Sequence, residues 1–257
     1  MPRRDSLLAR WLEPLASTLW YFFLVWTALV AVAWVGGIRE DHIADWVRNP
    51  GLRSALIFSL GILDPLWFTL AAANVYLSIA EAEGIATARR WAAIVICGVA
   101  AMLACSAWTG LPLGSALYMR SLGVQLGPPV PIALPLLWFA VILGGRELML
   151  RAFRRASHAQ IALGTGVVAL LTAVNLEPLA SNVRLLWMWY ERDTHLPIST
   201  PIQSYVTWLV TGAALAFALR ERDVLIGAGR RPLKPVVALA LFNGVFLATH
   251  LAVQIRN

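Results

Sequence analysis

The chain has 257 residues, of which 59% are hydrophobic and 14% charged, whereas a soluble domain carries charge on about a quarter of its residues. With the charges clustered between long apolar runs, that balance excludes a disordered chain, a collagen-like repeat and a disulfide scaffold. It predicts an all-α, polytopic bundle in a lipid bilayer, and the net charge of +7 belongs to insertion topology rather than to a nucleic-acid partner.

Taken in chain order, the first expected span is 17–38, behind Arg3, Arg4 and Arg10; no small-x-small cleavage pattern follows it, so it reads as a retained anchor. The second, 54–80, contains Asp64 followed by Pro65. The third, 91–109, holds Cys97 and Cys105, whose helical separation of about 12 Å is beyond disulfide reach. The fourth, 130–144, extends to about Leu150 if Arg146 and Glu147 snorkel or face the bundle. The fifth, 159–180, carries Glu177 and Pro178, and the sixth and seventh are 202–219 and 236–255. These make about seven transmembrane helices in a single transmembrane domain, 1–257.

Alternating the loops puts fourteen Lys and Arg on the side of the N-terminus and seven on the other. The bias predicts a cytoplasmic N-terminus in a multi-pass protein of the bacterial inner membrane. Loops 110–129 and 181–201 then fall outside, and both are rich in Gly, Pro or aromatic residues rather than charge. Leu12 to Ser17 repeats as Leu176 to Ser181, but the spacing defines no period.

Asp64 and Glu177 are the only charges inside the spans as drawn, and a carboxylate near the bilayer interior costs several kcal/mol unless paired, neutral or beside water. Each precedes a proline, so a helix-kink or interhelical hydrogen-bond role competes with chemistry. By depth both lie in the outer half, which predicts a shared site. Around the outer ends of the fifth and sixth helices gather Trp187, Trp189, Tyr190, Tyr205 and Trp208. They form either an interfacial belt or, if the rings turn inward, a pocket whose faces stabilise a carbocation.

Other signatures are set aside. Gly164, Thr165 and Gly166 imitate a dinucleotide turn but sit in a membrane helix with no preceding strand, so close helix packing is expected and no cofactor. Asp41 and Asp45 flank His42 at a magnesium-like spacing without a second cluster, so no metal is expected. His250 either relays a proton or hydrogen-bonds a neighbour, and Asn74 and Asn175 read as packing groups.

The outer loops carry a resemblance. Thr109, Gly110, Leu111, Pro112, Leu113 and Gly114, then Tyr118, Leu122 and Gly123, then Val130, Pro131, Ile132, Pro135, Leu136, Trp138 and Phe139 resemble the central signature of the carotenoid-biosynthesis membrane proteins. That family includes γ-carotene 1′-hydroxylases and bisanhydrobacterioruberin hydratases. Leu176, Glu177 and Pro178, then Trp187 and Trp189, then Pro201, Ser204, Tyr205 and Trp208 are similar to its Leu-Asp-Pro, Trp-x-Trp and Gly-Val-Pro-x-x-Asn-Phe-x-Gly-Trp series. The matches run over about 84–215. Where the family has a glutamate and a further aspartate, this chain has Leu103 and Ala173; the family's Asp-Pro is Glu177-Pro178, and its asparagine is Ser204.

The resemblance implies an integral membrane enzyme, a hydratase-like lyase, that adds water to the terminal double bond of an acyclic carotenoid or related polyprenoid. On that reading Glu177 is the acid, Asp64 orients water or shares the proton, and Tyr118, Trp138, Trp187, Trp189, Tyr205 and Trp208 bind substrate. The alternatives are a cation-mediated isomerase or cyclase of a polyprenoid and a non-catalytic membrane subunit, one partner being a membrane prenyltransferase.

Overall fold

A computed structural model describes residues 7–39, 43, 45–126, 130–194, 196–219 and 232–256. Seven long helices account for most of them: α1 (Leu7–Gly36), α2 (Pro50–Glu83), α3 (Ile85–Thr109), α4 (Ala133–Ala152), α5 (His158–Asn182), α6 (Ile202–Ala218) and α7 (Lys234–Arg256). Six are long and apolar enough to cross a bilayer. The 17 residues of α6 extend about 26 Å, at the short end of what a span needs. The result is an all-α, multi-pass membrane bundle.

Helix ends depart from the expected ranges for identifiable reasons. Helix α1 begins ten residues early and carries Pro14 inside it. Asn49 caps α2 by accepting from the Leu52 N–H, with Pro50 in the first turn, where its missing N–H is harmless. Ser157 and Gln160 form a reciprocal capping box on α5. The fourth span starts at Ala133 because Val130–Pro131 is a strand, and it runs to Ala152 with Arg146 and Glu147 buried.

Helix α4 is the axle of the bundle. Its membrane window is 78% buried, against 22–44% for the other five long spans. That position makes room for Arg146 and Glu147, which pair at 3.4 Å while the guanidinium lies 4.6 Å from the Trp91 ring. Helices α5 and α6 share the most extensive contact, and small residues permit it: a Cβ on Gly166 would sit 2.5 Å from the Leu209 carbonyl oxygen, and one on Gly212 2.9 Å from the Ala169 Cβ. The expected glycine packing is therefore present.

The two long connections expected on the outer side contain short strands. Strands β1 (Ala116–Tyr118), β4 (Trp187–Tyr190) and β5 (Pro197–Ile198) form an antiparallel sheet in the order β1-β4-β5, and β2 (Gln125–Leu126) pairs with β3 (Val130–Pro131). The register sets Tyr118 opposite Trp187 and Ala116 opposite Trp189. Strand alternation buries those four side chains together on the face toward the helices. This cap closes the end of the bundle where α3 and α5 stop and α4 and α6 begin.

Candidate functional site

Glu177 lies near the cap end of α5 and is 2% exposed. Its Oε1 accepts from Ser204 Oγ at 3.0 Å and from Trp208 Nε1 at 2.9 Å; its Oε2 accepts from Trp187 Nε1 at 3.0 Å. The first two donors stand four residues apart on α6, one helical turn, and so present on one face. The third comes from the inward face of β4. One carboxyl thus ties α5, α6 and the cap together, with no cation beside it among the described hydrogen bonds and ion pairs.

The carboxyl borders a cavity of about 20 Å³ whose walls include Tyr118, Trp138, Trp187, Trp189 and Trp208, room for about one water molecule. Trp138 and Trp208 stack with centroids 3.7 Å apart and planes 13° from parallel. Trp189 is buried, yet its Nε1 finds no hydrogen-bond partner. Outside the membrane spans, Tyr118 is buried in the cap, and burial pushes its phenol well above the usual tyrosine value, the Glu177 charge adding to the effect. Gly114, at φ +116°, is where the cap folds tightest: a Cβ there would meet Pro201 at 2.8 Å and the Trp189 ring at 3.1 Å.

Six of the eight expected site residues therefore converge: Glu177, Tyr118, Trp138, Trp187, Trp189 and Trp208. Tyr205 does not line the cavity; it is half-buried on α6, one residue and about 100° round from Ser204. Asp64 is held in a different cluster. Its Oδ2 accepts from Arg184 Nη2 at 2.8 Å and its Oδ1 from Trp34 Nε1 at 2.7 Å, and it is absent from the cavity wall. The inference from depth places the two acids at similar heights but does not bring them to one site.

Ser204 and Leu103 belong to the site without having been assigned a role in it. Leu103 lines the cavity, and Ala173, fully buried, stands one turn before Glu177 on the same face of α5. The signal was in the α3 and α5 spacing, which places each near the same outer level. His250 Nε2 is 2.9 Å from the backbone oxygen of Asn175, and Asn175 Nδ2 donates to Asn243 Oδ1 at 3.4 Å, both interhelical links. Asn74 Nδ2 donates to the Leu19 carbonyl of α1. Cys97 and Cys105 are free thiols. Asp41 and His42 lie outside the described residues, and among the described residues no His, Cys, Asp and Glu cluster has a metal-holding arrangement.

No curated protein and no solved structure matches the chain. A protein-family model described as "carotenoid biosynthesis protein" matches residues 63–255. The match begins one residue before Asp64, includes every residue of the cavity wall and extends well beyond the motif region 84–215. It covers about three quarters of the chain, and the protein belongs to the carotenoid biosynthesis protein family.

Proposed function

We propose that this membrane protein of carotenoid biosynthesis is a hydratase-like enzyme whose acid is Glu177. The observation that supports the reading is a buried carboxyl with three hydrogen-bond donors beside an aromatic-walled cavity. In the forward step the carboxylic acid gives its proton to the terminal carbon of an alkene end group, leaving a tertiary carbocation and the Glu177 carboxylate. The donors from Ser204, Trp208 and Trp187 hold the carboxylate, and ring faces stabilise the cation. Water adds to the cation and returns one proton to Glu177, so the net change is the addition of one water with no redox partner.

Trp189 supplies a further N–H on the cavity wall to orient the oxygen, and Tyr118 remains a neutral phenol that can donate or accept. Asp64 acts at a distance, as the anchor of Arg184. The substrate is the terminal isoprene unit of an acyclic carotenoid or polyprenoid, reached from the bilayer when the cap lifts from α4 and α6. The setting is the bacterial inner membrane with the cap on its outer side.

The small cavity, together with Leu103 and Ala173 at the family's acidic positions, favours a second reading: a non-catalytic subunit in which Glu177 is a cross-link, holding a partner such as a membrane prenyltransferase. Expression in cells that accumulate acyclic carotenoids, followed by mass analysis of their pigments, separates the readings. Hydration adds the mass of one water to the pigment. Unchanged mass with shifted absorption indicates isomerisation or cyclisation, and unchanged pigment together with retention of a co-expressed prenyltransferase indicates the subunit.

A further inference from the structure

A second cavity of the cap lies beside the one that Glu177 borders. It has a volume of about 240 Å³, and Thr109, Ser115, Glu191, Arg192, Pro201 and Gln203 are among the residues that line it. Glu191 and Arg192 are exposed, and charged side chains at the rim set its mouth in water. Arg192 Nη2 donates to the Trp108 carbonyl at 2.6 Å and Gln203 Nε2 to the Gly110 carbonyl at 3.4 Å. These bonds hold polar side chains around a space large enough for several water molecules.

The partition between the two spaces is thin. Leu113 lines the Glu177 cavity and its neighbour Gly114 lines the second one. The Trp189 indole reaches across: it too lines the Glu177 cavity, while its Cζ3 edge comes to 3.1 Å from where a Cβ on Gly114 would stand, and the Gln203 amide nitrogen comes to 3.0 Å from the same point. The absent side chain lets an inner ring and an outer polar group meet there. Leu103, Leu134, Trp138 and Trp208 wall the cavity elsewhere, all buried and all carried on helices, and a water crossing among them would give up its hydrogen-bond partners. Hydration consumes one water per turnover. The cavity at Glu177 has room for about one, and a five-carbon end group takes more space than that, so the attacking water enters after the substrate is seated.

Resting on Glu177 as the acid of a hydration, we propose that the second cavity is the water antechamber of the site and that Trp189, closed against Gly114, is the gate between them. The gate decides whether the cation takes up water or gives its proton back to the Glu177 carboxylate. The test is radiolytic hydroxyl-radical footprinting of the full chain in lipid nanodiscs, read by mass spectrometry and paired with pigment analysis. Footprinting marks side chains beside water whether or not the protein turns over. Ser115→Phe fills the antechamber, and Ser115→Leu is the smaller plug should the first not fold. Leu117→Phe, on the exposed face of the cap, is the control. Wild type is expected to be oxidised at Trp189 and Leu113. In either plug that oxidation should fall about fivefold and hydrated pigment about tenfold, with Leu117→Phe behaving as wild type. Labelling of wild-type Trp189 that the plugs abolish, with no hydrated pigment from any protein, supports the water path and overturns only the acid role of Glu177. Trp189 unlabelled in wild type, labelled equally in the plugs, or shielded in them while hydration continues at the wild-type rate would overturn the antechamber.

Discussion

Replacing the Glu177 carboxyl by an amide removes the proton and also sets a new N–H against donors that now point at carboxyl oxygens. Glu177→Gln is therefore expected to abolish water addition and to lower stability by about 1–3 kcal/mol, read by pigment analysis and by detergent-phase melting. Trp208→Phe keeps the ring stack but removes one donor, and should slow turnover about tenfold or more with the fold retained. Asp64→Asn tests a different contact: it strands a buried guanidinium and should cost about 3–5 kcal/mol, much of it recovered in Asp64→Asn/Arg184→Met. A double-mutant cycle in melting experiments measures that recovery. Tyr118 offers a pH signature. Because its folded pKa is raised, its contribution to stability is intact below about pH 10, the unfolded value, and is lost as pH rises beyond it. Tyr118→Phe should flatten the alkaline limb of the stability profile.

At the scale of elements, what could be read in advance depended on whether a residue's height or its direction was at stake. Apolar runs and the carboxylates interrupting them marked the spans, whereas the aromatic group around Trp187 and Trp189 fitted an interfacial belt as well as an inward pocket. Strands of two to four residues carry too little period to be recognised, so the cap read only as two apolar loops. Depth along a helix does not determine azimuth, which is why Asp64 and Glu177 were expected together and why Tyr205 was favoured over Ser204. Nothing in the sequence singles out Arg184, because its partners, Asp64 and Ile38, are distant along the chain. The packing of α5 on α6 gives an element-scale prediction. Gly166→Leu has no space beside the Leu209 carbonyl, so it should force the helices apart and abolish the folded protein in detergent, measured by size-exclusion yield.

For the molecule as a whole, the family match and the long apolar helices agree on a membrane component of carotenoid biosynthesis, and the two ends of the bundle differ in what they carry. The cap lies at the bundle end where α1 and α7 finish, since Arg184 donates to the Ile38 carbonyl and Arg256 to the Gly36 carbonyl. Arg151, Arg154 and Arg155 sit at the other, whereas Arg220, Arg222, Arg230 and Arg231, which also weigh on the orientation, lie outside the described residues. A cysteine placed at the exposed Leu117 of the cap in a Cys97→Ser/Cys105→Ser background should react with impermeant maleimide in intact cells, and one at Arg154 should not. The central claim is that Glu177 protonates an alkene that water then captures. Its most direct measurement is heavy-oxygen incorporation: cells making acyclic carotenoids with wild-type or Glu177→Gln protein are grown in heavy-oxygen water under ordinary oxygen gas. The account predicts a pigment one water heavier that carries the solvent oxygen with wild type, and no such pigment with the variant. Hydrated pigment made equally by both proteins, or an added oxygen drawn from the gas, would contradict it.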